Sequence, residues 1–235
     1  MASTRNLQAS VNWVLPHLRF QPFNISAQQP ALDSANLILQ TILGPPFIWP
    51  WNRFTITFTA TANVQDYPVP APTFGFLEGG ACIDPSTNKP MEMSVKSRLE
   101  ADSQSERPSY VAAQVDDNAG TITFRLMPAP DRGYPIVLTA QRKAPIMTSL
   151  ACFWQPIPDE LAYVYDHGLL SMGSLLTSDP RFQIYGQRFV AHLLGRQTGL
   201  SEMERNIFLA NWLQVTNMLQ TSQMKTQQGI AARQV

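Results

Sequence analysis

Two hydrophobic periods alternate along this chain. Between Pro30 and Leu43, the positions Leu32, Ala35, Asn36, Leu39, Ile42 and Leu43 recur on one face of a 3.6-residue repeat. That spacing predicts an amphipathic helix of about three to four turns. Pro30 suits its first turn, Asp33 lies near the positive end of its dipole, and Gly44-Pro45 stops it. Past residue 53 the period becomes two. Phe54, Ile56, Phe58 and Ala60 alternate with Thr55, Thr57, Thr59 and Thr61, which predicts a half-buried strand. Asn63-Val64-Gln65-Asp66 reads as a turn into Tyr67-Pro68-Val69, and Pro70-Ala71-Pro72 breaks the ladder.

Further strands are predicted at Phe74–Leu77, Ala81–Ile83, Met91–Leu99, Tyr110–Val115, Thr121–Leu126 and Tyr134–Ala140. Asp116-Asp117-Asn118-Ala119-Gly120 supplies a hairpin loop between two of them. After Trp154 the helical period returns. Ile157-Pro158-Asp159-Glu160 starts one helix, with Leu161, Val164, Tyr165, Gly168, Leu169, Met172 and Leu176 at helical spacing. Ser178-Asp179-Pro180 starts a second, carrying Phe182, Tyr185, Phe189 and Leu193 and ending at Gly199. Ser201-Glu202-Met203-Glu204 is a capping-box pattern for a third, whose face carries Phe208, Trp212, Val215 and Leu219.

The two regimes meet at Gly44-Pro45-Pro46-Phe47-Ile48-Trp49-Pro50-Trp51-Asn52-Arg53. Its prolines exclude a helix interior, while its apolar rings make it a packed connector: an aromatic plug closing a core, or an exposed contact. Residues 1–10 read as polar and mobile, and 11–28 as a short helical turn and an irregular arm. The predicted fold class is α+β: an antiparallel β-sandwich or open barrel flanked by an N-terminal helix and a C-terminal helical layer. The predicted regions are an arm, helix and hinge (1–53), a β-domain (54–153), a helical layer packing with the N-terminal helix (154–220) and a polar tail (221–235), mobile in the free subunit.

Composition narrows the function. Charged residues are 14% of the 235 positions and the formal net charge is zero, against about 25% charged in an ordinary globular chain. Such a surface argues against a broad nucleic-acid footprint, which needs clustered Lys and Arg, and fits a surface largely covered by other protein. Cys82 and Cys152, the only cysteines, lie in no metal-ligand spacing and read as two buried free thiols. No apolar run approaches the ~20 residues of a membrane span, and Met1–Asn6 lacks the apolar core of a secretory signal. The expectation is a soluble chain made inside the cell.

No spacing in the chain carries enzymatic chemistry. His17, His167 and His192 fall in separate elements, with no metal-binding or catalytic pattern. Asp159-Glu160 is a helix-start pair. Gly79-Gly80 is not continued as a phosphate loop, and Asp116-Asp117-Asn118 lacks the Gly and Glu offsets of a Ca²⁺ loop. Trp49, Trp51, Trp154 and Trp212 have the chemistry to stack on sugars, but core packing is the simpler account. The reading is of a protein that is not an enzyme and has no cofactor or metal.

The succession from Pro46 to Arg53, followed by Thr57-Phe58-Thr59-Ala60-Thr61-Ala62-Asn63-Val64-Gln65-Asp66-Tyr67, resembles the head-to-tail adaptors of tailed bacteriophages. These are the neck or connector proteins, tail tubular protein A among them, in which a helix and a Trp-x-Trp-like joint lead into a Thr-rich strand and a Gln-Asp-Tyr turn. Thr123–Pro130, Tyr134–Leu138 and the helices beginning at Ile157-Pro158-Asp159 are similar to their late hairpin and paired-helix ending. Asn63-Val64 stands where such chains usually carry Gly before Gln-Asp-Tyr.

The resemblance implies a virion structural protein, made in the host cytoplasm and built into the neck or tail. It would form a homo-oligomeric ring, a dodecamer, beneath the portal protein and above downstream tail or nozzle proteins. There it would form part of the DNA exit channel, touching genomic DNA only passively and no membrane. Candidate interaction residues are Phe47, Trp49, Trp51 and Arg53 at the joint. Glu100, Asp102, Asp116 and Asp117 join them, in polar, negatively charged loops that face the lumen or a partner, or are ordinary solvated loops. The alternative from another class is a soluble ligand- or carbohydrate-binding β-domain with a helical appendage; a hydrolase is a third.

Overall fold

In the computed structural model, which describes residues 3–24, 27–97, 105–116, 121–197, 199–214 and 217, the chain divides into a contiguous β unit, Ile48–Lys143, and a helical unit built from both ends, Met1–Phe47 and Ala144–Val235. The divisions precede those read from the period changes at 53/54 and 153/154. Residues 144–154 join no sheet ladder; Leu7 and Gln8 donate their N–H groups to the Cys152 and Leu150 carbonyls, both at 2.9 Å, tying that segment to the N-terminus.

The β unit is one seven-stranded sheet: β1 Arg53–Ala60, β2 Asp66–Pro70, β3 Phe74–Ile83, β4 Pro90–Val95, β5 Tyr110–Asp116, β6 Thr121–Met127 and β7 Tyr134–Arg142, in the order β1-β7-β3-β4-β5-β6-β2. Alternation is clearest in β6, where Ile122, Phe124 and Leu126 are buried and the intervening residues half-buried. These side chains, with Val111, Ile136 and Leu138, fill the inner face. The sheet curls until its two edges approach. Phe58 of β1 stacks on Tyr67 of β2, ring centroids 5.0 Å apart, which makes a nearly closed barrel.

Two details depart from the pattern read along the chain. Neighbouring strands are antiparallel except β4 and β5, which pair in parallel, Ser94 opposite Tyr110; alternation reports which face is buried and is silent on strand direction. The two strands predicted at Phe74–Leu77 and Ala81–Ile83 are one: β3 runs through both, accommodating the irregularity as shifts of register against β7 between Phe74 and Phe76 and between Leu77 and Gly79. The predicted strand from Met91 ends at Val95.

The Gln-Asp-Tyr turn has a clear physical role. The Tyr67 hydroxyl accepts the Thr61 N–H at 2.9 Å and donates toward the Val64 carbonyl at 2.7 Å, bracing the turn from inside. Asn63 takes the left-handed φ of 61° that Asn tolerates. Arg125 reaches across from β6 to grip both Asp66 oxygens, at 2.7 and 2.6 Å. The edge strand β2 therefore carries its two prolines without losing its register.

The helical unit contains α1 Leu7–Val14, α2 Ala31–Leu43, α3 Ala162–Leu176, α4 Phe182–Gly195 and a fifth helix, α5, over residues 202–214. Helix α3 packs against α1, α2 and α4 and is buried around most of its circumference, which explains its run of small residues. A Cβ on Gly168 would lie 3.1–3.2 Å from three atoms of Ile38, so glycine is what lets α2 and α3 approach. The amide of Asn36 bonds both backbone groups of Met147, at 3.1 and 2.7 Å. At the start of α5 the capping box forms: Ser201 N–H donates to the Glu204 carboxylate at 2.8 Å and Glu204 N–H to Ser201 Oγ at 3.3 Å.

Residues 3–10, read as polar and mobile, are ordered. Asn6 caps α1 through Ala9 N–H, and Leu7, Ser10, Val11 and Val14 are buried at helical spacing. Ahead of the helix, the Asp159 carboxylate accepts Ser3 Oγ at 2.7 Å and Thr4 Oγ1 at 2.6 Å. These bonds hold the Asp159 carboxyl down at about 2. Helix α4 ends at Gly195 rather than Gly199. The tail proposed from residue 221 onward lies outside the described residues.

Candidate functional site

The aromatic joint splits between the two units. Phe47 ends the helical unit's first segment, wholly buried, with its ring edge-on to Phe208 of α5 at 5.0 Å. In the β unit Trp49 is 3% exposed and stacks on half-buried Trp51 at 5.1 Å. Pro50–Asn52 form a single 3₁₀ turn that leads directly into β1.

Under these rings lies a chain of polar contacts. Gln141, fully buried on β7, accepts the Trp49 N–H at 3.2 Å through Oε1 and donates to Glu78 at 2.9 Å through Nε2. Glu78 also takes the Arg53 guanidinium, whose Nε lies at 2.7 Å. Burial works to raise the Glu78 carboxyl, but the bonds from Arg53 and Gln141 outweigh it and hold it below its ordinary range. Asn52 donates to the Arg142 carbonyl at 2.9 Å, and the Arg142 guanidinium lies over the Phe54 ring at 5.5 Å. The network fixes how the connector runs into the sheet. It is a structural junction whose outward groups are Ile48, 40% exposed, and the exposed face of Arg53.

Of the acidic candidates, the Asp116 backbone closes β5 opposite Thr121. Glu100, Asp102 and Asp117 lie outside the described residues.

A second constellation had no signature in the sequence. The three histidines converge. His167 of α3 and His192 of α4 meet edge to face with centroids 4.9 Å apart, and Trp13 of α1 lies 6.2 Å from His167 and 4.9 Å from His17. Tyr163, one turn before His167, meets His192 at 5.1 Å; its hydroxyl takes Arg196 Nε at 2.5 Å, and its backbone carbonyl lies 2.7 Å from His167 Nδ1. Burial, then the nearby His167, Arg188 and Arg196, hold the His192 imidazole below its usual value. Nothing in the linear spacing of positions 13, 17, 163, 167, 188, 192 and 196 announces this cluster beyond the i, i+4 steps within each helix. Helix packing creates it. Among the described residues no three His, Cys, Asp or Glu side chains come together as metal ligands.

Further polar groups lie in the helical core. Trp154 lies flat on Tyr165, centroids 4.3 Å apart, and donates its indole N–H to Ser10 Oγ at 2.9 Å. Asp166, 3% exposed, pairs with Arg5 at 2.8 Å. Both cysteines are free: Cys82 is buried, which pushes its thiol up to about 11, while Cys152 is only half-buried and bonds from Ser149 and Thr148 bring it down to about 7. A cleft of about 280 Å³ along α4 and α5, lined by Ser171, Phe182, Gln183, Gly186, Gln187 and Leu213, has no titratable side chain among those residues.

The outer face of α5 exposes apolar side chains interspersed with Glu202 and Asn206. Met203, Ile207 and Ala210 lie along it, the first two 69% and 52% exposed, and Ile184 on α4 is exposed to 52%. No helix among the described residues is long and apolar enough to cross a membrane. Compared with known proteins, the chain matches no family model and no curated protein.

Proposed function

We propose that the chain is an assembly subunit of a tailed-phage virion: a head-to-tail adaptor that closes into a homo-oligomeric ring beneath the portal and lines part of the DNA exit channel. The observation that carries this reading is the pair of open apolar side chains on α5, Met203 and Ile207, on a chain only 14% of whose residues are charged. A ring subunit can bury such side chains against a neighbour. Ring closure needs two different faces per copy, because the contact is head-to-tail. The Trp-x-Trp joint and the Gln-Asp-Tyr turn direct the proposal to this kind of assembly. In this chain both are devices that fix how connectors enter the sheet, and residues with that role leave outward positions free to vary with the partner.

The rival reading, a ligand-binding β-domain, asks for a lined concavity on the inner face of the sheet. That face is instead filled by Phe124, Leu126, Val111, Ile136 and Leu138, all 0% exposed. Mass measurement coupled to size-exclusion chromatography tests the proposal, followed by electron microscopy of the protein alone and with portal protein. Rings are the expected result. A monomer or dimer under every condition, with no association with portal, would exclude an adaptor.

A further inference from the structure

The cluster where α1, α3 and α4 meet is rich in hydrogen-bond donors and short of acceptors. We propose that His167, Arg188, His192 and Arg196 form a binding site for a tetrahedral dianion, a sulfate or phosphate group, with Trp13 and Tyr163 beside it. The site belongs to the subunit itself and needs no ring closure.

The donors are available. His167 Nδ1 lies 2.7 Å from the Tyr163 carbonyl. Because a carbonyl only accepts, Nδ1 carries the proton, and Nε2 is the nitrogen that gains one on acidification. Neither that Nε2 nor either ring nitrogen of His192 has a hydrogen-bond partner among the described residues. Arg196 gives its Nε–H to the Tyr163 hydroxyl at 2.5 Å, and the same ring meets His192 edge-on. Arg188 is exposed, and neither arginine forms an ion pair among the described residues. Helix geometry sets Arg188, His192 and Arg196 one turn apart along one face of α4 and its cap.

Charge points the same way. The charges that act on His192 are those of His167, Arg188 and Arg196, with no carboxylate among them. Helix α1 has none, and His17, in the turn that follows it, faces Trp13. The single carboxylate of α3, Asp166, is buried and paired with Arg5. In the turn before α3, Asp159 is engaged by Ser3 and Thr4, and exposed Glu160 forms no ion pair. From Pro180 through Ser201 the chain has no Asp or Glu. The C-terminal end of α4 sets about half a negative charge against an anion, which two guanidiniums and two imidazoles outweigh. A carboxylate would bring one charge and two oxygens. A tetrahedral dianion brings two charges and four oxygens, which suits donors arriving from two helices. Two arginines are too few for a phosphate track along nucleic acid.

Proton and anion should bind together. A dianion favours the imidazolium, so its binding draws protons onto the histidine pair, and affinity rises as pH falls through the histidine range. Sulfate is the probe, because it stays doubly charged throughout that range. Histidine ring resonances of the full chain, followed by NMR at constant ionic strength, should shift saturably with sulfate at pH 5.5. Affinity should fall on the order of 10-fold by pH 8, and His192 should titrate at higher pH when sulfate is bound.

Arg188→Gln/Arg196→Gln should abolish saturation. Arg188→Gln alone, at an exposed position, should weaken binding roughly 10-fold should the Arg196 change disturb the fold. His192→Gln should bind more weakly with a flattened pH profile, whereas Asp166→Asn, which removes a buried carboxyl outside the site, should keep both affinity and profile. Inorganic phosphate and O-phosphoserine, compared at pH 8 where both are dianions, separate a free ion from a phosphate ester: the tighter of the two names the source. Shifts that grow linearly with sulfate, or that persist in the double arginine variant, would overturn the site. Equal affinity at pH 5.5 and pH 8 would remove the histidines from it. Saturable binding of a short DNA duplex, with none of sulfate, would make this a nucleic-acid face instead.

Discussion

The Arg5 guanidinium reaches the Asp166 carboxylate at 2.8 Å from the surface side: the Asp166 side chain is 4% exposed and that of Arg5 27%. One carboxylate oxygen, Oδ1, is buried with no hydrogen-bond partner. Burial therefore dominates, and although Arg5 and Ser10 pull the other way, the carboxyl is pushed up to about 6. In the unfolded chain it titrates near 3.9. Between those values the folded state binds more protons than the unfolded one, so Asp166 makes stability fall as pH rises from about 4 to about 6 and contributes no slope above that. Asp159, held at about 2, acts in the opposite sense and only below this window. Asp166→Asn should remove a decline on the order of 2 kcal/mol. Chemical denaturation of both chains across pH 4 to 7 measures it, and the difference between them isolates the contribution of Asp166. Parallel profiles would show that the carboxyl is not raised.

Trp49 and Trp51 stack on each other but differ in burial, and so should their truncations. Trp49→Ala removes a 3%-exposed ring and should destabilise by about 3–5 kcal/mol. Trp51→Ala removes a half-buried ring and a stacking contact, for roughly 1–2 kcal/mol. Thermal unfolding ranks the two. Full stability in Trp49→Ala with loss of assembly would mean that the ring serves a subunit contact instead.

Gly168→Ala tests the crossing of α2 and α3. Alanine improves helix propensity by about 1 kcal/mol, yet its Cβ would stand 3.1 Å from two carbons of fully buried Ile38. Overpacking should win, with a net loss of roughly 1–2 kcal/mol. Adding Ile38→Val should restore part of it. A more stable Gly168→Ala would show that the helices have room to separate.

A duplex that must slide through a channel is poorly served by many phosphate contacts, since each adds salt-dependent affinity. With a formal charge of zero, the free subunit should bind DNA weakly or undetectably at physiological salt and without sequence preference. Fluorescence anisotropy decides it: tight binding at that salt would replace the passive conduit with a true nucleic-acid-binding protein.

What could be read in the sequence was what depends on local pattern. Helix α2 was legible from the spacing of its apolar residues between Pro30 and Gly44, β1 and β6 from their alternation, and the start of α5 from Ser201 and Glu204. The errors lie where a distant partner decides. Ser3 and Thr4 look like a loose polar start until Asp159 is known to reach them, and two glycines look like a loop until β7 is laid beside β3. The parallel pairing of β4 with β5 has no local signature. The aromatic joint was visible as a packed connector, whereas the cluster of Trp13, His167 and His192 exists only because α1, from the other end of the chain, meets α3 beside its neighbour α4.

The helical unit is assembled from both ends of the chain, with Ile48–Lys143 between them, and this bears on synthesis. The β unit is contiguous and has all its strands once residue 143 has left the ribosome. Helices α1 and α2 emerge first but must wait for α3, the helix they pack against. At roughly 5–20 residues per second the delay between the end of α2 and the end of α3 is about 7–27 s. During that interval Ile38, Leu39 and Ile42 have no native surface to bury against. Nascent chains should therefore engage a holding chaperone through α2, and release should coincide with emergence of α3 rather than with completion of the barrel.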